Sequence, residues 1–355
     1  MHLHRFTVNR ISLRLTVACA CCCVFANTSG TAVSAAFVAV GFSSSVSFRL
    51  APSIVPSRNP PVLGIQSGSA RAGKERRCHS ATSMSAFAAG EDIEVGDGTL
   101  LHFVWVPEVR STQDAMRTLL ASSRRDSLSQ KGVDALALSA GSQIQGRGTS
   151  GRAWMGGAGN MFLTVALPAR TLSALTYPIT LLPLRMGTLI AREIVRILPH
   201  PEAQARVQLK WPNDVLLDDG KVSGLLIEMD GTSSYYLVGI GVNVAQAPHV
   251  PSLGADRGRR AACLAQCGLE GRGGDTARDL SIAIAVSITT WLGGSQEDTA
   301  DSVIADWEKL ATWGKVYDLR DGGAVVPLAL ETDGRLRVRD LTSGATRLLT
   351  AEYLH

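Results

Sequence analysis

Six of the fifteen residues from Gly146 to Asn160 are glycine. They fall in the string Gly146-Arg147-Gly148-Thr149-Ser150-Gly151-Arg152-Ala153-Trp154 and its continuation Gly156-Gly157-Ala158-Gly159-Asn160. Glycine lets backbone N–H groups come close to an anion, and arginine adds forked donors for phosphate oxygens. The string also satisfies G-x-G-x-x-G, which opens dinucleotide-binding folds. That fingerprint needs a helix directly after it and an acid about 20 residues on. Here a short apolar strand pattern, Met161–Leu167, follows, and positions 166–176 hold no acid. A doubly wound dinucleotide fold is therefore disfavoured. A phosphate-cradling loop and a purely structural glycine hairpin both remain open.

Charge divides the chain. Residues 1–90 carry nine Lys and Arg and one acid, Glu75, leaving 26 of the chain's 35 basic residues and 30 of its 31 acids to residues 91–355. The body is thus net acidic, which argues against a basic nucleic-acid-binding surface. The first 30 residues place Arg5, Arg10 and Arg14 before an apolar stretch, Leu15–Ala26, and then small polar residues. That is the order of a secretory signal. Residues 31–90 are rich in Ser and Arg and resemble an organellar transit peptide. Two such signals in series predict delivery to a plastid-type organelle, with a mitochondrion, or a cytosolic product started at Met84, as alternatives. No apolar run reaches the roughly 18–20 residues of a membrane span. Seven cysteines are too few for a disulfide scaffold, and five of them lie in residues 1–90. Cys263 and Cys267 form a lone C-x3-C and read as thiols rather than a zinc site.

The body mixes both periodicities. Strand patterns occur at Leu100–Val106, Ala135–Ser139, Met161–Leu167, Val207–Lys210, Val215–Leu217, Gly224–Glu228 and Tyr235–Ile240. Helical patterns occur at Ala115–Leu120, behind the hydroxyls of Ser111 and Thr112, at Leu182–Leu198, and at Asp279–Leu292. Residues 245–274 read as a loop. From Trp307 onward short strands alternate with turns at Gly322-Gly323 and Asp333-Gly334. The fold class predicted is α+β: a mixed sheet flanked by helices over residues 98–300, then a small β module over 307–355.

Two further strings carry chemistry. Lys210-Trp211-Pro212-Asn213-Asp214, with Lys221 and Gly224 downstream, fixes a lysine at a strand end beside a carboxylate. The lysine would meet a carboxylate or phosphate, and Asp214 could hold Mg²⁺ or pair with Lys210. Taken alone, the string reads more plainly as a surface Lys-Trp-Pro turn. Gly239-Ile240-Gly241-Val242-Asn243-Val244 lets a strand pass close to a ligand or a neighbour, and Asn243 suits a base edge. A tightly packed core strand explains the string equally well.

In this order and spacing the three strings resemble the biotin–protein ligases, also called holocarboxylase synthetases. The resemblance covers residues 98–300 and, more loosely, 307–355. It implies a catalytic domain like that of class II aminoacyl-tRNA synthetases with an SH3-like C-terminal module. It also implies an activity: ATP and biotin form biotinyl-5′-AMP with release of pyrophosphate, and biotin then passes to one lysine of a carboxylase's biotin carboxyl carrier domain. Ser111, Thr112, Gln113 and Gln143 match the residues around the biotin ring. Gly146, Arg147 and Gly148 match the loop over biotin and the adenylate. Arg152 and Trp154 match the phosphate and nucleotide side, and Asn213, Lys221 and Asn243 fall in matching segments near ATP. Lys210 matches the lysine bridging the biotin carboxylate and the α-phosphate. Arg147, Arg152, Lys210 and Mg²⁺ would then cancel the repulsion between carboxylate and phosphate. The resemblance allows a homodimer.

Two departures stand out. Many family members carry arginine where this chain has Thr149, and that arginine helps retain the adenylate. Residues 1–90 show no helix-turn-helix of the kind some bacterial members use on DNA, so no DNA binding is expected. A lipoate or octanoate ligase, and a biotin sensor without catalysis, are the alternatives in function.

Overall fold

The computed structural model describes residues 90–96, 98–122, 133–250, 260–269, 273–319 and 322–350. The leader signals, Met84, parts of the 245–274 segment and the last five residues lie outside the described residues. The frame is an eight-stranded sheet: β1 (Gly90–Val95), β2 (Thr99–Val109), β3 (Val133–Gln143), β6 (Met161–Pro168), β10 (Tyr235–Val242), β9 (Gly220–Asp230), β8 (Asp214–Leu217) and β7 (Val207–Lys210), in that spatial order. Only β2 and β3 run parallel; the other neighbours are antiparallel. A parallel pair needs a crossover, and helix α1 (Thr112–Leu120) supplies it. The sheet is mixed, as the sequence predicts.

Alternation sorts the strand side chains onto two faces. Leu101 and Phe103 of β2, Met161, Leu163, Val165 and Leu167 of β6, and Val238, Ile240 and Val242 of β10 join the larger core. That core is closed by α3 (Leu182–Ile197) and α5 (Gly273–Gly294). The opposite parity gives Val104, Val106, Leu136, Leu138, Ala140, Phe162, Ala166 and Leu237, which pack under Met116, Leu119 and Leu120 of α1. Because α1 is only nine residues long, it covers one end of this face. The rest of the face is where the cleft described below sits. Short helices α2 (Ala169–Leu172) and α4 (Pro201–Gln204) turn the chain at the ends of α3.

The predicted boundaries shift in three places. The sheet begins at Gly90 rather than 98, because β1 pairs along β2 from Gly90↔Val104 to Val95↔Thr99. Its three acids, Glu91, Asp92 and Glu94, mask the strand in the sequence. Helix α6 (Ala300–Glu308), capped by Thr299, whose hydroxyl accepts from the Ser302 N–H at 3.2 Å, occupies the stretch read as a junction. Within the glycine string, β4 (Gly146–Arg147) and β5 (Ala153–Trp154) form a two-stranded hairpin.

The C-terminal module is an antiparallel four-stranded sheet: β11 (Tyr317–Asp318), β12 (Ala324–Leu330), β13 (Leu336–Asp340) and β14 (Thr346–Leu349). Its inward residues Val325, Leu330, Leu336, Val338 and Leu349 belong to the same continuous core as α3 and β6. It is bolted to the edge strand β7: the Leu209 N–H donates to the Leu310 carbonyl at 2.6 Å, and the Thr312 N–H to the Leu209 carbonyl at 3.1 Å. No helix among the described residues is long and apolar enough to cross a membrane.

Candidate active site

Between α1, the glycine hairpin and the strand ends of β9 and β10 lies a cleft of about 470 Å³. Its floor is built from glycine. A Cβ on Gly241 would sit 2.3 Å from the Trp154 ring, one on Gly239 2.9 Å from the Gln113 amide, and one on Gly224 2.8 Å from the Lys221 side chain. The register Gly241↔Gly224 brings two of these side by side on adjacent strands. The third string is thus a ligand-side floor as well as a core strand, since its alternate residues Ile240 and Val242 point into the core.

One end of the cleft is polar and uncharged. The Gln143 Oε1 accepts from the Thr112 N–H at 2.9 Å and from the Thr112 hydroxyl at 3.2 Å. The Thr164 hydroxyl donates to the Thr112 hydroxyl oxygen at 2.9 Å. Gln113 donates to the carbonyls of Leu226, 3.1 Å, and Leu237, 3.4 Å, tying α1 across β9 and β10. Ser111 and Thr112 are buried at the helix start, yet the Ser111 side chain makes no capping bond. Its hydroxyl is not spent on the helix.

The other end is charged. The Lys221 ammonium lies 2.6 Å from Asp214 and 5.5 Å from the Trp154 ring centroid. Burial pushes the Asp214 carboxyl up, but Lys221, with Lys210 and Arg152 behind it, more than reverses this and holds it below the usual carboxylate range. Asn213 lines the cleft while its amide donates to the Leu225 carbonyl at 2.8 Å. The Trp154 indole N–H is buried with no hydrogen-bond partner among the described residues.

Over the top, the hairpin is held to α1. The Arg147 guanidinium makes two bonds to Asp114, 2.7 and 2.8 Å, and lies 3.7 Å from Glu228. Arg117 joins the same acids at 3.0 Å and 2.5 Å. The hydrogen bond to Arg147 holds the Asp114 carboxyl below its ordinary range. Arg152 folds back on Thr149, donating to its carbonyl at 3.4 Å and its hydroxyl at 3.3 Å.

Of the residues singled out in the sequence, Ser111, Thr112, Gln113, Gln143, Arg147, Gly148, Trp154, Asn213 and Lys221 line this one cleft. Gly146 sits behind it, packed so closely that a Cβ would lie 2.5 Å from both the Gln143 amide and the Trp154 carbonyl. Asn243 also stays behind the floor. Its amide donates to the Lys221 carbonyl at 3.3 Å and the Ala262 carbonyl at 3.1 Å. Lys210, at the end of β7, lines a second cavity of about 200 Å³ with Trp211, Trp307, Thr312, Trp313, Tyr317, Pro327 and Leu336; it is the register partner of Asp214 on β8 and helps to hold that carboxyl low. Thr164 and Glu228 went unnoticed in the sequence. Each was signalled as a polar side chain inside an apolar strand pattern.

The described residues hold no group of three His, Cys, Asp or Glu that could bind a metal ion. Asp214, the sequence candidate for Mg²⁺, is already ion-paired with Lys221. The donor set therefore does not make a resident cation site.

Residues 108–244 match the model of the biotin/lipoate A/B protein ligase family. The biotin–[acetyl-CoA-carboxylase] ligase of Paracoccus denitrificans is 37% identical over 109 residues, which is 30% of this chain and 43% of that protein. The chain's match thus spans less than half the length of that curated relative. Among solved structures, the Aquifex aeolicus biotin protein ligase in complex with biotin and ATP has a TM-score of 0.51 at 25% identity, over 70% of this chain and 98% of that one. The Leishmania major biotin protein ligase in complex with biotin is 30% identical over 71% of this chain and 98% of that one, with a TM-score of 0.47.

Proposed function

On the match of residues 108–244 to the biotin/lipoate A/B protein ligase family, we propose that the chain is an ATP-dependent biotin–protein ligase. The observation that carries this reading is the two-ended cleft, with Thr112 and Gln143 at one end and Lys221 beside Asp214 and Trp154 at the other. The neutral end, with Ser111, offers hydroxyl and amide groups to a cyclic urea. The charged end offers an ammonium to a carboxylate that must approach an α-phosphate of the same sign.

The chemistry has two steps. A carboxylate oxygen of biotin attacks the α-phosphorus of ATP, the bond to pyrophosphate breaks, and biotinyl-5′-AMP forms. The ε-amine of a lysine on a biotin carboxyl carrier domain then attacks the acyl carbon, AMP leaves, and the amine proton passes to solvent. Lys210, the lysine that the resemblance assigns to the carboxylate and the α-phosphate, and Lys221 offset the charge building on the phosphorus oxygens, with Arg152 the next cation behind them. Loss of one such group costs about 2.7–4 kcal/mol of transition-state stabilisation. Trp154 supplies an aromatic face to the nucleotide. Arg147 latches the hairpin to α1 and β9 through Asp114 and Glu228. Mg²⁺ enters on the phosphates of ATP as part of the substrate, the usual mode for this ion. The leader composition supports delivery to a plastid-type organelle, which a fluorescent fusion carrying residues 1–90 tests against mitochondrial and cytosolic destinations.

The test offers the full chain Mg·ATP with biotin, lipoate or octanoate separately, reads the acyl-adenylate by mass spectrometry, and then adds a biotin carrier domain. Biotinyl-AMP followed by one labelled carrier lysine is the expected result. Adenylate from lipoate or octanoate alone moves the chain to the sister activity. Biotin binding without any adenylate leaves only a sensor.

A further inference from the structure

One hydroxyl of the cleft has its hydrogen-bond sense fixed by its neighbours. A backbone N–H can only donate, so the Gln143 atom that faces the Thr112 N–H at 2.9 Å is the amide oxygen. The Thr112 hydroxyl lies 3.2 Å from that same oxygen and donates to it. The Thr112 oxygen in turn accepts from the Thr164 hydroxyl at 2.9 Å. A hydroxyl has one donor and two acceptor sites. With its hydrogen on Gln143 and one lone pair on Thr164, Thr112 keeps a single lone pair, and Thr112 lines the cleft. Thr164 itself is fully buried, on β6 between Leu138 of β3 and Gly239 of β10. It is the one polar side chain from Met161 to Leu167. A hydroxyl in such a place is unfavourable unless it is hydrogen-bonded, and valine has the same shape without the polar atom. Threonine in a helix divides between two χ1 rotamers. Thr112, the first residue of α1, therefore needs a partner that selects the rotamer of its hydroxyl.

We propose that Thr164 is a positioning residue: it holds the Thr112 hydroxyl in one rotamer and one sense, so that the neutral end of the cleft takes a ring N–H and refuses a ring atom that brings only a lone pair. The inference rests on the ligase reading, in which that ring is the cyclic urea, and adds to it the group selected and the residue that enforces the selection. A lone pair set against the Thr112 oxygen meets no hydrogen. Turning the Thr112 hydrogen to meet it would leave two oxygens, those of Thr112 and Gln143, facing each other with lone pairs alone. Sites built to hydrogen-bond one substrate group reject an analogue without that group far more strongly than an apolar pocket does. Thr164 acts here through Thr112, without touching the ligand.

The experiment titrates the full chain by calorimetry with biotin and with its two cyclic-carbamate analogues, in each of which a ring oxygen replaces one ureido N–H. Wild type is expected to bind one of the two carbamates on the order of a hundredfold more weakly than biotin. Thr164→Val is expected to weaken biotin roughly tenfold and that carbamate much less, so the preference shrinks by a similar factor. Thr164→Ser, which keeps the donor, is expected to restore both the affinity and the preference. In a Thr112→Val background Thr164→Val is expected to cost biotin nothing further, because members of one chain of contacts are not additive. In biotin-dependent exchange of pyrophosphate into ATP, the loss is expected in KM for biotin with kcat within about twofold, because the ring contact is the same in ground and transition state. Equal losses for biotin and both carbamates in Thr164→Val, the result of a packing role alone, would overturn the proposal, as would wild-type biotin affinity in that variant. Should Thr164→Val fail to fold, Thr164→Cys, close in volume and a much weaker donor, is read by the same ratio. A wild type that binds no biotin removes the ligase premise and this inference with it, whereas a wild type that binds biotin and both carbamates alike removes the inference alone.

Discussion

At the scale of single residues the cleft is defined by atoms that are missing. Gly241 carries the tightest constraint, because Trp154 fills the space where a side chain would begin. Gly241→Ala pushes against ring atoms at 2.3 Å, so either the indole or the strand must move. The expected outcome is a fall in nucleotide affinity of about 10–100-fold with the thermal midpoint lowered only modestly, because Trp154 is the freer partner. Titration calorimetry with ATP beside a melting curve checks both. Much of this site was legible. The three strings hold ten of the cleft-lining residues, because glycine, arginine and tryptophan in a tight string have few other uses. The cover over Lys210 was not legible, since the other walls of its cavity, from Trp307 to Leu336, come from a segment about 100 residues away.

At the scale of elements the helices on the core face are joined by an ion cluster built around one buried arginine. Arg185 on α3, buried, reaches Asp298 just before α6 and Asp306 within it, the latter at 3.0 Å. Arg192 and Lys309 reach Asp306 at 2.9 Å each. Burial pushes the Asp306 carboxyl up, but Lys309, Arg185 and Arg192 together bring it from 3.8 down to about 2. A depressed carboxyl stabilises the fold above its unfolded value and loses that contribution as pH falls through the folded value. Asp306→Asn is therefore expected to cost about 2 kcal/mol near pH 7, with the gap to wild type closing between about pH 4 and pH 2. Urea unfolding across that range measures it. Element prediction from the sequence worked where periodicity was strong, as in α3 and β6. It failed at β1, where charges on an edge strand break the alternation, and at α6, whose nine residues bury only Val303 and Trp307.

At the scale of the whole molecule, the sequence separates a catalytic domain from a C-terminal module, whereas the structure runs one core through both. Val325, Leu336 and Val338 of the module are buried in the same cluster as Leu189 and Ile190 of α3. A change of pattern along the chain marks a change of architecture, from long strands to short ones, and does not reveal whether the two parts bury surface against each other. One shared core predicts one cooperative transition. Differential scanning calorimetry of residues 90–355 is expected to show a single peak with matching calorimetric and van't Hoff enthalpies, and two resolved peaks would contradict the shared core.

The strand order β1-β2-β3-β6 and then β10-β9-β8-β7 also divides the sheet by how far apart in the chain its neighbours lie. β1 with β2, and β7 through β10, pair with near neighbours in sequence and need only short loops to close. The seam between β6 and β10 joins Met161 to Val242 and Tyr235 to Pro168, so it waits on a much longer closure, whose entropy must be met before its contacts repay it. The cleft straddles that seam, with Thr112, Gln143 and Thr164 on one half and Gly224, Lys221 and Gly241 on the other. A nascent chain would thus acquire two half-sheets early and a binding site only when they zip together, so that competence to bind ligand marks the last step of folding rather than an early one.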